Sequence, residues 1–151
     1  MIRAEYVLQE IPFVVRRRVR WGDCDPAGVV YTGVFGDYVI SAVELFYEYL
    51  LGSPATQART THGFGTPTRA LDFDFRSWLV PDDDFDMMVT VSEIRTRTYV
   101  LDIVARKPDG REVFYSKLTP VCVNRAQGKA IAIPGVLREK LEQYKTRCKG
   151  A

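Results

Sequence analysis

The sequence contains a single histidine, His62, among 151 residues. A catalytic triad built on histidine must use this residue or be absent, and a zinc site with several histidine ligands is excluded. Cysteine is also scarce, with three residues at scattered positions, Cys24, Cys122 and Cys148. An odd number without paired spacing does not form a disulfide framework, so we expect a reducing, cytoplasmic compartment.

Neither sign of charge dominates, because 21 basic residues are balanced by 19 acidic ones, a formal net charge of +2. A dedicated nucleic-acid or polybasic membrane-binding surface is therefore not expected. Long apolar runs are missing too. The most apolar stretch, residues 34–51, contains three acidic residues and does not predict a membrane span, and the N-terminus does not resemble a signal peptide. The composition predicts one globular domain over residues 1–151.

Residues 31–51 predict a long helix that is apolar around most of its circumference. Its polar positions, Asp37, Ser41, Glu44 and Glu48, are spaced by four, three and four residues, which forms one narrow stripe. Such a helix must be covered by other elements, and in a chain of this length the available elements are strands. The segment Gly52-Ser53-Pro54 predicts its end.

The remaining residues predict an antiparallel sheet. Strands are predicted at residues 13–21, 67–80, 85–97, 98–106 and 113–124, and a C-terminal helix at 134–149. Residues 55–66 are expected to be polar and irregular, and Pro120 predicts an edge position or a bulge. The order β-α-β-β-β-β-α predicts an α+β fold in which a sheet curls around one buried helix.

Two carboxylates, Asp23 and Asp25, lie in the turn before the long helix. The first turn of that helix leaves the N–H groups of about residues 31–34 without partners, and these favour negative charge nearby. A carboxylate beside such donors can attack a carbonyl or activate a water, while the amides hold the oxyanion. Aspartates also cap helices and fill turns, and by spacing alone that role is the more common one.

Three segments resemble the 4-hydroxybenzoyl-CoA thioesterase family, the hot-dog-fold acyl-CoA thioesterases. The most specific is Gly22-Asp23-Cys24-Asp25-Pro26-Ala27-Gly28-Val29-Val30-Tyr31, which resembles the family signature. Gly65-Thr66-Pro67 resembles the segment entering the second strand, and Glu93-Ile94-Arg95-Thr96-Arg97-Thr98-Tyr99 the junction where relatives carry basic residues for the CoA phosphates. The resemblance implies a curved antiparallel sheet around one long central helix.

The resemblance also implies roles for individual residues. Asp25 matches the catalytic carboxylate, a nucleophile or general base, and the backbone amides of Thr32 and Gly33 match the oxyanion donors. Expected contacts to substrate and CoA come from Arg95, Arg97, Tyr31, Gly65 and Thr66. The family implies a homodimer, or a tetramer formed by two dimers, with active sites at the subunit interface. No metal or cofactor is expected, since the CoA thioester is the substrate.

The sequence departs from the family pattern at Thr32-Gly33-Val34-Phe35, where relatives carry a Tyr or His followed by Asn-Tyr. Any residue except proline keeps the backbone amide, so the departure affects the acyl pocket. Small aromatic and short-to-medium acyl groups are both possible substrates.

A thiolate leaves readily without a general acid, so thioester hydrolysis does not need a histidine. A non-catalytic acyl-CoA binding or sensing module is the alternative. A dehydratase or isomerase needs a histidine base, and His62 lies in another segment.

Other candidate residues have simpler interpretations. Cys24 is flanked by two aspartates that would raise its pKa, so a packing role is favoured over a nucleophile. His62 is expected at the surface. Arg16, Arg17 and Arg18 alternate across a predicted strand and cannot all line one face. Three aromatic residues are expected in the sheet and core, with an acyl pocket as the alternative: Phe73, Phe75 and Trp78.

Overall fold

A six-stranded antiparallel sheet packs on one long helix in the computed structural model, which describes residues 3–151. Its strands are β1 (Glu5–Glu10), β2 (Phe13–Arg18), β4 (Thr68–Phe75), β5 (Asp84–Ile94), β6 (Tyr99–Arg106) and β7 (Glu112–Pro120), in the order β1-β2-β5-β6-β7-β4. A small second sheet pairs β3 (Phe64–Gly65) with β8 (Val123–Asn124). The helices are α1 (Val34–Leu51), α2 (Ala55–His62) and α3 (Gly135–Lys149). The predicted α+β hot-dog fold, with its C-terminal helix, is confirmed.

Helix α1 is the predicted central helix, shortened by three residues at its start. It begins at Val34 because Tyr31 and Val34 close a turn, in which the Val34 N–H donates to the Tyr31 carbonyl at 2.9 Å. It ends where predicted, at Gly52, whose φ of 75° is the left-handed conformation that glycine adopts without steric cost. The predicted polar stripe is its least covered side.

The core lies between α1, the inner face of the sheet and α3. Alternate residues of β5 are buried against α1, as a strand with one covered face requires. Phe46 of α1 is completely buried between Phe13 of β2 and Tyr144 of α3, with ring centroids 5.5 and 4.9 Å away. The Tyr144 hydroxyl also accepts the Phe13 N–H, which ties α3 to the sheet.

Several predicted elements needed correction. The sequence does not predict β1, because this edge strand is almost wholly exposed and has no alternation of apolar and polar residues. Residues 55–66 are not irregular, since they form α2 and β3; only two alanines of α2 are buried, so its apolar pattern is too weak to predict a helix. The strands predicted at 13–21 and 67–80 end earlier, at Arg18 and Phe75.

The order of the strands bears on two further predictions, the position of Pro120 and the burial of the aromatic residues in and after β4. Pro120 is not on an edge strand, because β7 lies between β6 and β4, but a bulge is present opposite it, between Thr68 and Ala70 of β4. Strand β4 is itself the edge. Phe73 and Phe75 lie on this strand, as expected, and Phe73 packs against the core. The core positions expected for Phe75 and Trp78 are wrong: Phe75 is 46% exposed on the edge strand, and Trp78, beyond the end of β4, is 73% exposed.

The alternation of the three consecutive arginines is confirmed. Arg16 and Arg18 pair across the sheet with Asp86 and Asp84 of β5, at 2.8 and 3.0 Å. Arg17 points to the other face, where its guanidinium lies over the ring of Tyr38 on α1. The basic run is thus divided between two surfaces.

Candidate active site

The loop between β2 and α1 forms a small hairpin that carries Asp25. Cys24 and Val30 form an antiparallel bridge, and the Asp25 N–H donates to the Val29 carbonyl at 2.9 Å. At the tip, the Ala27 N–H donates to Asp25 Oδ1 at 2.9 Å and the Gly28 N–H to the Asp25 carbonyl at 2.9 Å. Asp25 Oδ2 accepts no hydrogen bond from the described residues, so one carboxylate oxygen is available to a ligand.

Asp23 occupies a different environment from Asp25. Its Oδ2 accepts the hydroxyl proton of Tyr38 at 2.8 Å and the Arg20 N–H at 3.0 Å, and its carbonyl accepts the Tyr31 N–H at 3.0 Å. Asp23 therefore ties the base of the hairpin to α1. The structure separates the two aspartates, which are equivalent by spacing alone: Asp23 holds the loop, and Asp25, the residue indicated by the family resemblance, has a free oxygen.

The backbone amides of Thr32 and Gly33 are free donors within the described part of the chain. Neither N–H donates to a protein acceptor, although the neighbouring Tyr31 and Val34 N–H groups both do. The ring of Tyr31 lies against Gly33, where a Cβ atom would be 2.8 Å from Tyr31 Cε2. Two adjacent unpartnered N–H groups at the start of a helix form an arrangement that can bind an oxyanion.

A cavity of about 370 Å³ opens beside the Thr32 amide. The residues that line it are Val29, Val30, Thr32, Phe35, Phe75, Arg76, Ser77 and Trp78. Asp25 is not in this set, but its hairpin partner Val29 is. The cavity thus joins one candidate oxyanion donor, the Asp25 hairpin and three aromatic side chains, and two of these are Phe75 and Trp78, for which an acyl pocket was the alternative expectation.

Gly65 and Thr66 lie in a second cavity, of about 350 Å³, alongside the middle of α1. Arg59 of α2 also lines it and pairs with Glu44 of α1 at 3.1 Å. Glu44 is ten residues into α1, about 15 Å along its axis at roughly 1.5 Å per residue. Within one chain, the two substrate-binding residues predicted here are therefore separate from the Asp25 hairpin. Arg59 was missed because α2 was missed.

Arg95 and Arg97 occupy the exposed turn between β5 and β6. Arg95 pairs with Glu93 at 2.7 Å, which lowers the pKa of that carboxyl. Arg97 forms no ion pair with another described residue, and its carbonyl accepts the N–H of Cys122, which is next to the strand that pairs with Gly65. The two arginines lie on the Gly65 side of the molecule, away from Asp25.

Cys24 and His62 are the remaining candidate residues of the sequence. Burial, followed by the charges of Asp23 and Asp25, raises the pKa of the Cys24 thiol, so the expected direction of this shift is confirmed. His62 is exposed at the end of α2, as predicted. Residues 3–151 contain no group of three or more His, Cys, Asp or Glu side chains placed to hold a metal ion. None of the helices in this range is long and apolar enough to cross a membrane.

An antiparallel sheet packed on one helix, with a carboxylate hairpin and free amides at the helix start, defines a thioester hydrolase of the hot-dog fold. The family model of the thioesterase-like superfamily matches residues 19–141, and the chain belongs to this superfamily. It is 27% identical over 101 residues to the long-chain acyl-CoA thioesterase FadM of Escherichia coli strain K12, across 66% of this chain and 76% of FadM.

Solved structures share the whole architecture. A thioesterase superfamily protein from Jannaschia sp. CCS1 is 25% identical, with a TM-score of 0.82 over 95% of this chain and 97% of that one. The 1,4-dihydroxy-2-naphthoyl-CoA thioesterase of Synechocystis is 18% identical, with a TM-score of 0.77 over 85% of this chain and 94% of that one. At that identity the second likeness is one of fold alone.

Proposed function

We propose that the protein hydrolyses the thioester of a small aromatic or short-to-medium acyl-CoA, with Asp25 as the catalytic carboxylate. The observation that carries this proposal is that one short segment, residues 25–33, presents both a free Asp25 oxygen and the free N–H groups of Thr32 and Gly33. FadM is a long-chain acyl-CoA thioesterase, and we propose that this site hydrolyses the same kind of bond, the thioester of an acyl-CoA.

In the proposed reaction, the thioester carbonyl oxygen lies against the Thr32 and Gly33 amides. Asp25 either attacks the carbonyl carbon or removes a proton from an attacking water, and the amides stabilise the resulting oxyanion. The C–S bond then breaks, and CoA leaves as a thiolate that takes a proton from solvent. If Asp25 acts as the base, the proton that it took from the attacking water passes to solvent, which restores the carboxylate. If Asp25 attacks directly, water hydrolyses the acyl anhydride in a second step and restores the carboxylate. A thiol with a pKa of roughly 8.5 needs no general acid to leave, so the reaction requires no histidine and no cofactor.

The aromatic cavity supports the choice of acyl group. Phe35, Phe75 and Trp78 surround a space next to Thr32 that suits a flat or short apolar group. Arg95 and Arg97 bind the CoA phosphates, and Tyr31, Gly65 and Thr66 contact the remainder of the substrate. The unpaired cysteines support a reducing, cytoplasmic compartment.

Two copies of the chain pair through β4 in this proposal. Strand β4 is an edge of the sheet, and its inner face exposes Leu71 and Phe75. Antiparallel pairing of β4 with its own copy around a twofold axis places the Thr68 end of one strand beside the Phe75 end of the other. The cavity lined by Thr66 then meets the Thr32 cavity of the second copy, which joins two sets of residues that are separate within one chain. A tetramer arises when two such dimers associate.

A charge on β4 tests this pairing. Leu71→Asp should yield monomers in sedimentation velocity and should lose activity with the dimer. Leu8→Asp, at an exposed position of the opposite edge strand β1, is the matched control and should leave both unchanged. An active monomeric Leu71→Asp variant would contradict an active site shared between subunits.

The reaction itself is tested by thiol release from benzoyl-, hydroxybenzoyl-, phenylacetyl- and straight-chain acyl-CoAs. Asp25→Asn should lower kcat by about 10²–10⁴-fold, the usual contribution of a positioned base, with CoA affinity nearly intact. Asp109→Asn is the matched control, because Asp109 accepts the N–H two residues later at 2.9 Å, as Asp25 does. Acyl-CoA binding without thiol release would instead identify a binding or sensing module, and near-normal turnover of Asp25→Asn would exclude the assigned carboxylate.

A further inference from the structure

We propose that Tyr38 of α1 is a positioning residue for the hairpin that carries Asp25. Its buried hydroxyl fixes Asp23, and Asp23 in turn fixes the base of the hairpin relative to the start of α1. This sets the separation between the Asp25 carboxylate and the free amides of Thr32 and Gly33. The inference rests on the function proposed for that carboxylate and those amides.

Asp23 forms hydrogen bonds both with α1 and with the arm of the hairpin that leads to Thr32. Tyr38 is 1% exposed, and its hydroxyl donates to Asp23 Oδ2 at 2.8 Å. The Asp23 carbonyl accepts the N–H of Tyr31, the residue directly before Thr32, at 3.0 Å. Asp23 therefore holds one arm of the hairpin by its backbone and is itself held to α1 by its side chain.

A single side-chain hydrogen bond connects the described part of this loop to α1. Among residues 3–151, the Tyr38–Asp23 bond is the only side-chain hydrogen bond between residues 19–33 and α1. Val30 of the hairpin is buried and its N–H donates to the Leu79 carbonyl at 2.9 Å, which holds the hairpin to a different segment from α1, whereas Trp21 and Tyr31 are exposed. Loss of this one bond should therefore allow the hairpin to move against the helix.

Tyr38 is rigidly held, which makes it an effective anchor. Its ring packs edge-on to Phe35 and against Phe85, with centroids 5.9 and 5.1 Å away. The Arg17 guanidinium lies 5.1 Å from the ring centroid and is fixed by an ion pair with Glu5 at 2.7 Å. Burial and the bond to Asp23 raise the pKa of Tyr38, so the hydroxyl stays protonated and acts as a donor.

The test is Tyr38→Phe, which removes the hydroxyl and keeps the packed ring. We expect kcat for thiol release to fall by about 10- to 100-fold, since misplacement of a reacting group by about 1 Å costs on this scale, while KM changes by less than about threefold. Tyr144→Phe is the matched control: Tyr144 is 2% exposed and its hydroxyl is also hydrogen bonded, but it lies on α3. Its kcat should remain near the wild-type value.

Amide hydrogen exchange gives a readout that does not depend on turnover. In Tyr38→Phe, exchange at the Tyr31 N–H and neighbouring loop amides should accelerate, whereas Tyr144→Phe should leave the loop unchanged. Asp23→Ala should reduce kcat at least as much, because it also removes the acceptor of the Arg20 N–H. Adding Tyr38→Phe to Asp23→Ala should change kcat little further, because the Tyr38 hydroxyl acts through Asp23.

Three outcomes overturn the inference: wild-type kcat in Tyr38→Phe, an equal loss in Tyr144→Phe, or unchanged exchange of the loop amides. If the wild-type protein releases no thiol from any acyl-CoA, the proposed function fails first. The exchange measurement then still decides whether Tyr38 holds the hairpin.

Discussion

The sharpest consequence of the site geometry concerns a backbone atom, the N–H of Thr32. Thr32→Pro deletes this donor. Thr32 is the second residue of the turn closed by the Val34 N–H and the Tyr31 carbonyl, and the φ of Gly33, the third residue, is −63°. A type II turn needs positive φ at the third position, so this turn is of the type I kind, in which the second residue adopts the φ that proline prefers.

The structure sets the expected effects of Thr32→Pro on the free energy of unfolding and on kcat. The Thr32 N–H donates to no protein acceptor in the described residues, so the variant loses no internal hydrogen bond. Its free energy of unfolding should therefore remain within about 1 kcal/mol of the wild type. Deleting one oxyanion donor costs roughly 2.7–4 kcal/mol of transition-state stabilisation, which is about 10²–10³-fold in kcat.

Steady-state thiol release and thermal unfolding measured on the same samples separate these effects. Thr32→Ala is the matched control, because it removes the side chain and keeps the N–H, and its kcat should stay close to the wild type. A folded Thr32→Pro variant with the kcat of Thr32→Ala would refute an oxyanion role for this amide. Gly33 would then be the donor left to test.

Three further predictions concern other parts of the molecule. Phe46→Ala should destabilise the protein by about 3–5 kcal/mol in urea unfolding, because Phe46 is fully buried and its loss leaves a cavity. Burial raises the pKa of Cys122 to about 11, which keeps the thiol protonated below that pH. Iodoacetamide at pH 8 should therefore label Cys122 only after unfolding, which mass spectrometry of its peptide would show. Arg97→Ala should raise KM for acyl-CoA by about 10- to 100-fold with little change in kcat, because a hydrogen bond to a charged group usually contributes on this scale. Arg95→Ala should raise KM less, because Glu93 already neutralises Arg95. Equal increases in KM for the two variants would contradict this difference.

The periodic elements of the fold were predictable because burial leaves a repeat in the sequence. The narrow polar stripe of α1 reflects the one side of the helix that is little covered, and the alternation of β5 reflects one covered face of the strand; both elements lie where expected. By contrast, β1 is an exposed edge and α2 buries only two alanines, so neither leaves such a pattern. The place of β4 beside β7 is not predictable in this way either, because alternation shows which face is buried and not which strand is the neighbour.

At the candidate site, the sequence by itself determined the residue types: an Asp-Pro turn before a helix, and a Thr-Gly pair that keeps its backbone amides. Only the tertiary structure decided which aspartate is free, because the Tyr38 hydroxyl that engages Asp23 comes from a different element. It also decided that Gly65 and Thr66 are separate from Asp25 within one chain, since they lie beside the middle of α1 and not its start. Local spacing governs turns and caps, whereas hydrogen bonds between distant elements depend on packing that no short motif encodes.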